Sequence, residues 1–348
     1  MQTIFSLTTL NLIKTTCISM FRDYPMFAIF ILTSKCNFRC EFCHVYNENN
    51  SVEDLTKEQV FTIIDALAYA GVSFIYITGG EALLRSDIED ILKYIKTKNM
   101  YIMLATNGSL FKEKFDIVSK YIDNIHFSIQ TIQNFSKITK TSKDIFDNVC
   151  QSIKLSIKAK IPTQINVPIE QNNINEMSYI MDFISREFGN GADTFFIPVK
   201  LLSLNEQDNI KIKELLPNIQ LFNKNLLEIK NKYKTNVNHL DRQLEIEKNK
   251  YKSFGKELCK AGNNIIVVNA SAELEYPCEY CKFDKQKIKV NNVYTIKNFL
   301  KEVDKLKLNN NKLKYCTNCL DSCYLQPSYF LTFKGFYNIV TEYFKKIF

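Results

Sequence analysis

The feature that most constrains this chain is the regular alternation of short apolar runs with amphipathic helical patterns between residues 27 and 199. Residues 27–33 are almost all apolar and β-favouring, as expected of a strand buried on both faces. Thr56 and Gln59 then form a capping-box pattern, and Val60, Ile63, Ile64 and Leu67 recur at helical spacing until Gly71. A second strand is predicted over 72–78. Ser86 with Glu89 reads as the cap of another helix carrying Ile88, Ile91, Leu92 and Ile95. Further strands fit 101–106, 125–129, 163–169 and 194–199, with helical patterns at 146–157 and 177–188. Parallel strands need a long crossover between them, so this alternation predicts an α/β fold, a partial (β/α)6 TIM-like barrel. Chemistry is then expected on the loops that follow the strands.

The rest of the chain divides by composition. Residues 1–25 read as an N-terminal extension, 26–206 as the barrel core and 207–256 as a charged, solvated helical linker. Residues 257–328 read as a small cysteine-rich C-terminal domain, with a clear β-like run at 265–269, and 329–348 as an amphipathic tail. The tail mixes Phe330, Phe333, Phe336, Ile339, Val340, Phe344 and Ile347 with Lys334, Lys345 and Lys346. A helix packed on the barrel and a peripheral membrane contact are both compatible with it.

The 348 residues are 46% hydrophobic and 24% charged, the balance of a globular protein. The net charge of +8 is scattered among acidic residues rather than gathered into a stripe, so no nucleic-acid partner is expected. No run approaches the roughly 18 apolar residues of a membrane span. Lys14 interrupts the apolar N-terminus and no small-residue cleavage site follows it, so a cytoplasmic location with reduced thiols is expected. Eleven cysteines is an odd number that a fully paired disulfide framework would not leave, which favours metal binding. With three histidines and no tryptophan, the chain has little scope for imidazole chemistry.

Cys36-x3-Cys40-x2-Cys43 follows the first predicted strand directly. Three thiolates so spaced suit three irons of a [4Fe-4S] cluster and leave the fourth iron open to a ligand. The competing interpretations are a zinc knuckle and three structural thiols. A zinc site wants a fourth ligand, and His44, the only local candidate, is awkwardly placed right beside Cys43.

This segment resembles the radical S-adenosylmethionine (radical SAM) superfamily, whose signature combines this cysteine spacing with an aromatic residue before the third cysteine, here Phe42. The resemblance runs over about residues 26–200. It implies that Phe42 lies near the adenine, and that Gly79-Gly80-Glu81, after the second strand, grips the amino group of the methionine moiety. Close backbone approach suits glycine, and a carboxylate suits an ammonium. Where relatives usually have proline next, this chain has Ala82. Thr106 and Asn107, in Thr106-Asn107-Gly108, match a family segment facing the cofactor. Ser128 and Gln130 stand where many relatives have Ser-x-Asp, leaving Ser128 as the candidate contact on that strand. Asn166 and Asn172 are weaker candidates.

The C-terminal cysteines resemble the auxiliary-cluster extension of the same superfamily, the SPASM domain or its shorter twitch form. There Cys259, Cys278, Cys316 and Cys319 would ligate a second [4Fe-4S] cluster, with Cys323 in reserve. A zinc site from Cys278, Cys281, Cys316 and Cys319 is the rival. Cys17 and Cys150 read as ordinary buried thiols. The resemblance implies an enzyme that cleaves S-adenosylmethionine reductively, using an electron donor such as ferredoxin or flavodoxin. A peptide or protein substrate leads, a small molecule or lipid is the alternative, and a noncatalytic iron-sulfur carrier or zinc scaffold is the reading of a different class.

Overall fold

The computed structural model describes residues 25–40, 42–43, 53–199, 214–233, 260–278 and 286–303. Nine strands form one sheet. In chain order they are β1 (Phe27–Thr33), β2 (Phe74–Gly79), β3 (Tyr101–Thr106), β4 (Asn124–Ser128), β5 (Thr163–Ile169), β6 (Asp193–Pro198), β7 (Ile265–Val268), β8 (Glu273–Tyr276) and β9 (Gln286–Lys289). The helices are α1 (Lys57–Ala70), α2 (Ile88–Thr97), α3 (Phe115–Val118), α4 (Phe135–Thr139), α5 (Ile145–Lys158), α6 (Met177–Phe188), α7 (Ile219–Lys232) and α8 (Thr295–Glu302).

Strands β1 to β6 pair in parallel and in chain order, as the alternation required. The sheet is open and continues beyond β1. There β7 pairs with β1 in parallel, and β8 and β9 follow antiparallel, giving the order β6-β5-β4-β3-β2-β1-β7-β8-β9. The C-terminal strands therefore extend the core sheet through main-chain bonds. Pairing with β7 satisfies backbone groups that β1 would otherwise leave as an open edge.

The two faces of β1 serve two cores. Ala28, Phe30 and Leu32 join the large core beneath the helices, with Val60, Ile63, Ile64 and Leu67 of α1. Phe27, Ile29 and Ile31 face the other way and pack with Ile265, Val267 and Cys278. This two-sided burial accounts for the unbroken apolar run.

The Thr56–Gln59 capping box forms as expected, and Gly71 ends α1 in a left-handed conformation at φ 100°. The expected Ser86 cap is not observed: α2 begins after Asp87, which makes no side-chain cap. Asp87 instead pairs with the buried Arg85 through two hydrogen bonds of 2.8 Å. The linker segment also differs from a solvated helix. In α7, Phe222, Leu226 and Ile229 are buried, and Asn225 Nδ2 donates to Ile174 O at 2.8 Å, binding the helix to the core.

Among the described residues no helix is long and apolar enough to cross a membrane. The tail over 329–348 and almost all of the extension over 1–25 lie outside the described residues.

Candidate active site

The loops after β1, β2 and β3 meet at the C-terminal edge of the sheet. Gly80 N donates to Thr33 O and Glu81 N to Lys35 O, both at 2.8 Å, so the Gly-Gly-Glu turn is bonded to the start of the cysteine loop. A Cβ on Gly80 would lie 2.1 Å from Lys35 O, and one on Gly79 would lie 2.3 Å from Thr33 O, with Gly79 at φ +133°. The glycines are thus required by the approach of two backbones to one another.

Glu81 is completely buried. Its Oε1 accepts from Leu83 N at 3.0 Å and its Oε2 from Asn107 N at 2.7 Å, while Thr106 Oγ1 donates to both oxygens at 3.0 Å. The Thr106 hydroxyl has one proton to share between them, so three donors hold the two carboxylate oxygens. Burial pushes the Glu81 carboxyl up to about 7, and the hydrogen bonds from Asn107, Leu83 and Thr106 oppose that rise. The expected partner of Glu81 was an ammonium. In the structure its carboxylate ties the end of β2 to the end of β3, and Thr106 is turned toward it.

Cys36, Cys40 and Cys43 lie on one loop held on both sides. Arg39 N donates to Thr139 O at 2.9 Å, and Phe38 packs edge-on against Phe135 with ring centroids 5.9 Å apart. Cys43 N donates to Cys40 O at 3.1 Å, forming a tight turn. Cys36 Sγ accepts from Phe38 N at 3.4 Å, and Asn107 Nδ2 approaches it at 3.9 Å. Burial pushes the Cys36 thiol up to about 11 and the Cys40 thiol higher still, with the neighbouring cysteines and a carboxylate adding to the rise. Assembly of a cluster must therefore displace protons from these sulfurs.

Among the described residues no three His, Cys, Asp or Glu side chains are gathered as around a single ion. Phe42 is half-buried against the large core, beside the third cysteine.

Along β4 to β6 the arrangement changes. Ser128 of β4 and Asn166 and Pro168 of β5 are half-buried, and strand register and alternation put them on the face opposite the helices. Ser128 pairs in register with Asn166, whose Oδ1 accepts from Gln164 Nε2 at 2.6 Å. Gln130 is buried; its carbonyl accepts from Asn173 Nδ2 at 2.6 Å, and its Oε1 makes no hydrogen bond among the described residues. Buried polar atoms are normally paired, so this amide oxygen suits a missing polar ligand.

Of the C-terminal candidates, only Cys278 is described. It is buried just after β8, in the apolar cluster that includes Phe27, Ile29 and Ile31 of β1. Cys259, Cys281, Cys316, Cys319 and Cys323 lie outside the described residues. Cys150, read as a buried thiol, is half-buried on α5. Asn37 and Ser109, which no sequence reasoning singled out, bond to Asn107 beside the cysteines. The one available signal for Asn37 was its place next to Cys36.

Residues 30–184 match the family model of the radical SAM superfamily. The chain carries a radical SAM domain. This domain implies a [4Fe-4S] cluster and S-adenosylmethionine as cofactors, and the fixed cysteine loop, the N–H groups at Cys36 Sγ and the open Gln130 amide fit that pair. A protein of Saccharolobus islandicus described as a probable GTP 3',8-cyclase is 29% identical over 202 residues, covering 55% of this chain and 64% of its own length. One of Sulfurisphaera tokodaii, described in the same words, is 31% identical over 157 residues, covering 44% of this chain and 50% of its own length. The chain thus matches less than two thirds of the length of these curated relatives.

Among solved structures, anSMEcpe with bound AdoMet and the Cp18Cys peptide is similar at TM-score 0.62 and 18% identity, covering 82% of each chain. Streptococcus suis SuiB bound to its precursor peptide SuiA has a TM-score of 0.60 and 15% identity, covering 83% of this chain and 68% of SuiB. These likenesses show the fold.

Proposed function

We propose that this chain is a radical SAM enzyme that cleaves S-adenosylmethionine reductively and uses the product to take a hydrogen atom from a peptide or protein. The observation that carries the reading is the bonding of the cysteine loop to the Gly-Gly-Glu turn through Gly80 and Glu81. It joins the start of the cysteine loop to the end of β2, and the Glu81 side chain in turn bonds to Thr106 and Asn107 at the end of β3. Cys36, Cys40 and Cys43 would hold the cluster. When bound, the cluster supplies the electron that splits the sulfonium into methionine and a 5′-deoxyadenosyl radical. Phe42 would flank the adenine, the Gly79-Gly80 backbone would line the methionine end, and Ser128 and Gln130 would supply polar contacts across the sheet. A reduced ferredoxin or flavodoxin is the proposed donor.

The peptide reading rests on the C-terminal cysteines, with Cys259, Cys278, Cys316 and Cys319 as ligands of an auxiliary [4Fe-4S] cluster and Cys323 in reserve. Such a cluster would accept an electron from a substrate radical. The burial of Cys278 against β1 favours a site close to the core. A small-molecule substrate such as a nucleotide is the second reading, favoured by the naming of the sequence relatives.

The decisive test is anaerobic reconstitution, reduction and addition of S-adenosylmethionine. The expected result is about eight irons per chain, from two four-iron clusters, and formation of 5′-deoxyadenosine. Iron binding without 5′-deoxyadenosine would leave a noncatalytic carrier, and bound zinc with a single cluster would refute the auxiliary iron site. Peptide libraries and nucleoside triphosphates, assayed separately for loss of hydrogen by mass spectrometry, would discriminate between the substrate readings.

A further inference from the structure

Three side chains close a hydrogen-bonded ring beside the first cysteine. Asn37 Nδ2 donates to Ser109 Oγ at 2.9 Å, Ser109 Oγ donates to Asn107 Oδ1 at 2.7 Å, and Asn107 Nδ2 donates to Asn37 Oδ1 at 2.8 Å. Ser109 N also donates to Asn107 Oδ1 at 3.0 Å. The ring spans two loops, since Asn37 follows Cys36 directly whereas Asn107 and Ser109 follow β3. Its directionality fixes the Asn107 amide. With Oδ1 accepting from Ser109 and one N–H given to Asn37, the remaining N–H is aimed at Cys36 Sγ, 3.9 Å away. The backbone of Asn107 is fixed independently by its bond to Glu81 Oε2.

We propose that the Asn37–Ser109–Asn107 ring positions an N–H donor on the Cys36 sulfur and so sets the reduction potential of the cluster that Cys36 ligates. The inference rests on the cluster reading above and adds to it three positioning residues. A hydrogen bond to a ligating sulfur offsets the negative charge that reduction adds, and outer-shell donors of this kind are known levers on cluster potential. Ser109 touches neither the cysteine nor the cofactor, so its effect must pass through Asn107.

The test uses reconstituted full-length protein with iron content, the potential of the Cys36 cluster by redox titration under electron paramagnetic resonance, and S-adenosylmethionine affinity measured together. Ser109→Ala removes the hydroxyl that closes the ring. The expected result is full iron content, unchanged affinity, and a more negative potential corresponding to about a tenfold loss in the reduction equilibrium, about 59 mV for one electron. Ser109→Thr keeps the hydroxyl and should hold the wild-type potential. Asn37→Ala, which opens the ring from the other side, should match Ser109→Ala. An unchanged potential in Ser109→Ala and Asn37→Ala at full iron content would overturn the ring's role while leaving the cluster reading intact. Absence of an iron-sulfur signal in the wild-type protein would overturn both.

Discussion

The ends of β1 to β3 and the ends of β4 to β6 use their polar side chains in opposite ways. In the first group nearly every polar atom is tied to another: Glu81 accepts from Leu83, Thr106 and Asn107, and Asn107 is closed into a ring with Asn37 and Ser109. In the second group Asn166 bonds to Gln164 of its own strand, Ser128 is half-buried on the same face, and the buried Gln130 Oε1 has no hydrogen-bond partner among the described residues. The contrast is that between loop ends cross-linked by side-chain hydrogen bonds and strand ends where a buried amide oxygen is left unpaired among the described residues. Strand β1 sits at the fixed end, supported by β2 on one side and β7 on the other.

The contrast can be broken most severely at the cysteines. Changing Cys36, Cys40 and Cys43 together to Ala should abolish 5′-deoxyadenosine formation and remove the four irons of one cluster, read by iron assay and chromatography. Undiminished turnover in that variant would mean that the fixed end is not the reacting end.

Next in size is Gly80→Ala. Its Cβ would stand 2.1 Å from Lys35 O, a backbone atom that cannot yield cheaply. A destabilisation of about 1–3 kcal/mol or more is expected, with poor cluster assembly, as seen by urea unfolding and iron retention. Wild-type stability would show that the two loops are not locked together.

Glu81→Gln sharpens the comparison by removing charge while keeping shape. An amide NH2 would then face one of the donors that the carboxylate now receives, and a cost of about 1–3 kcal/mol is expected. The variant should also change the pH dependence. With its carboxyl raised from 4.5 to about 7, the folded chain keeps a proton that the unfolded chain has lost in that window. Stability should therefore fall as pH rises from about 4.5 to about 7, and this component should vanish in Glu81→Gln. Identical unfolding profiles for the two proteins at about pH 5 and about pH 8 would remove the buried-carboxylate account.

The smallest expected effect belongs to the open side. Gln130→Met conserves approximate volume and removes an acceptor that has no partner, so stability should hold to within about 1.5 kcal/mol. Cluster content should not change. Affinity for S-adenosylmethionine or substrate should drop by roughly tenfold or less, by calorimetric titration, in line with one lost neutral hydrogen bond. Full affinity would assign Gln130 to the framework.

Most of the architecture was legible in the sequence because strand and helix periodicities are local. The spans of β1, β3 and β5 fall where the apolar runs end, and the Thr56 cap forms as its spacing required. The exception at α2 is instructive: Ser86 had the right spacing from Glu89, but Arg85, buried near the helix start, engages Asp87 instead. The cysteine loop was equally legible, since its spacing is contained in eight consecutive residues.

What the amino-acid order determined by itself was therefore the parallel β-α alternation, the cysteine loop and the glycine turn. Each depends on residues near one another in the chain. Tertiary structure alone decided that β7 would lie against β1, that the apolar face of α7 would be buried, and that Glu81 would spend its oxygens on β3. It also decided that Asn37 and Ser109, 72 residues apart, would meet at Cys36. Such meetings depend on which strand edges and loop ends the packed sheet brings together, and a hydrogen bond between distant residues leaves no periodic trace in the chain that forms it.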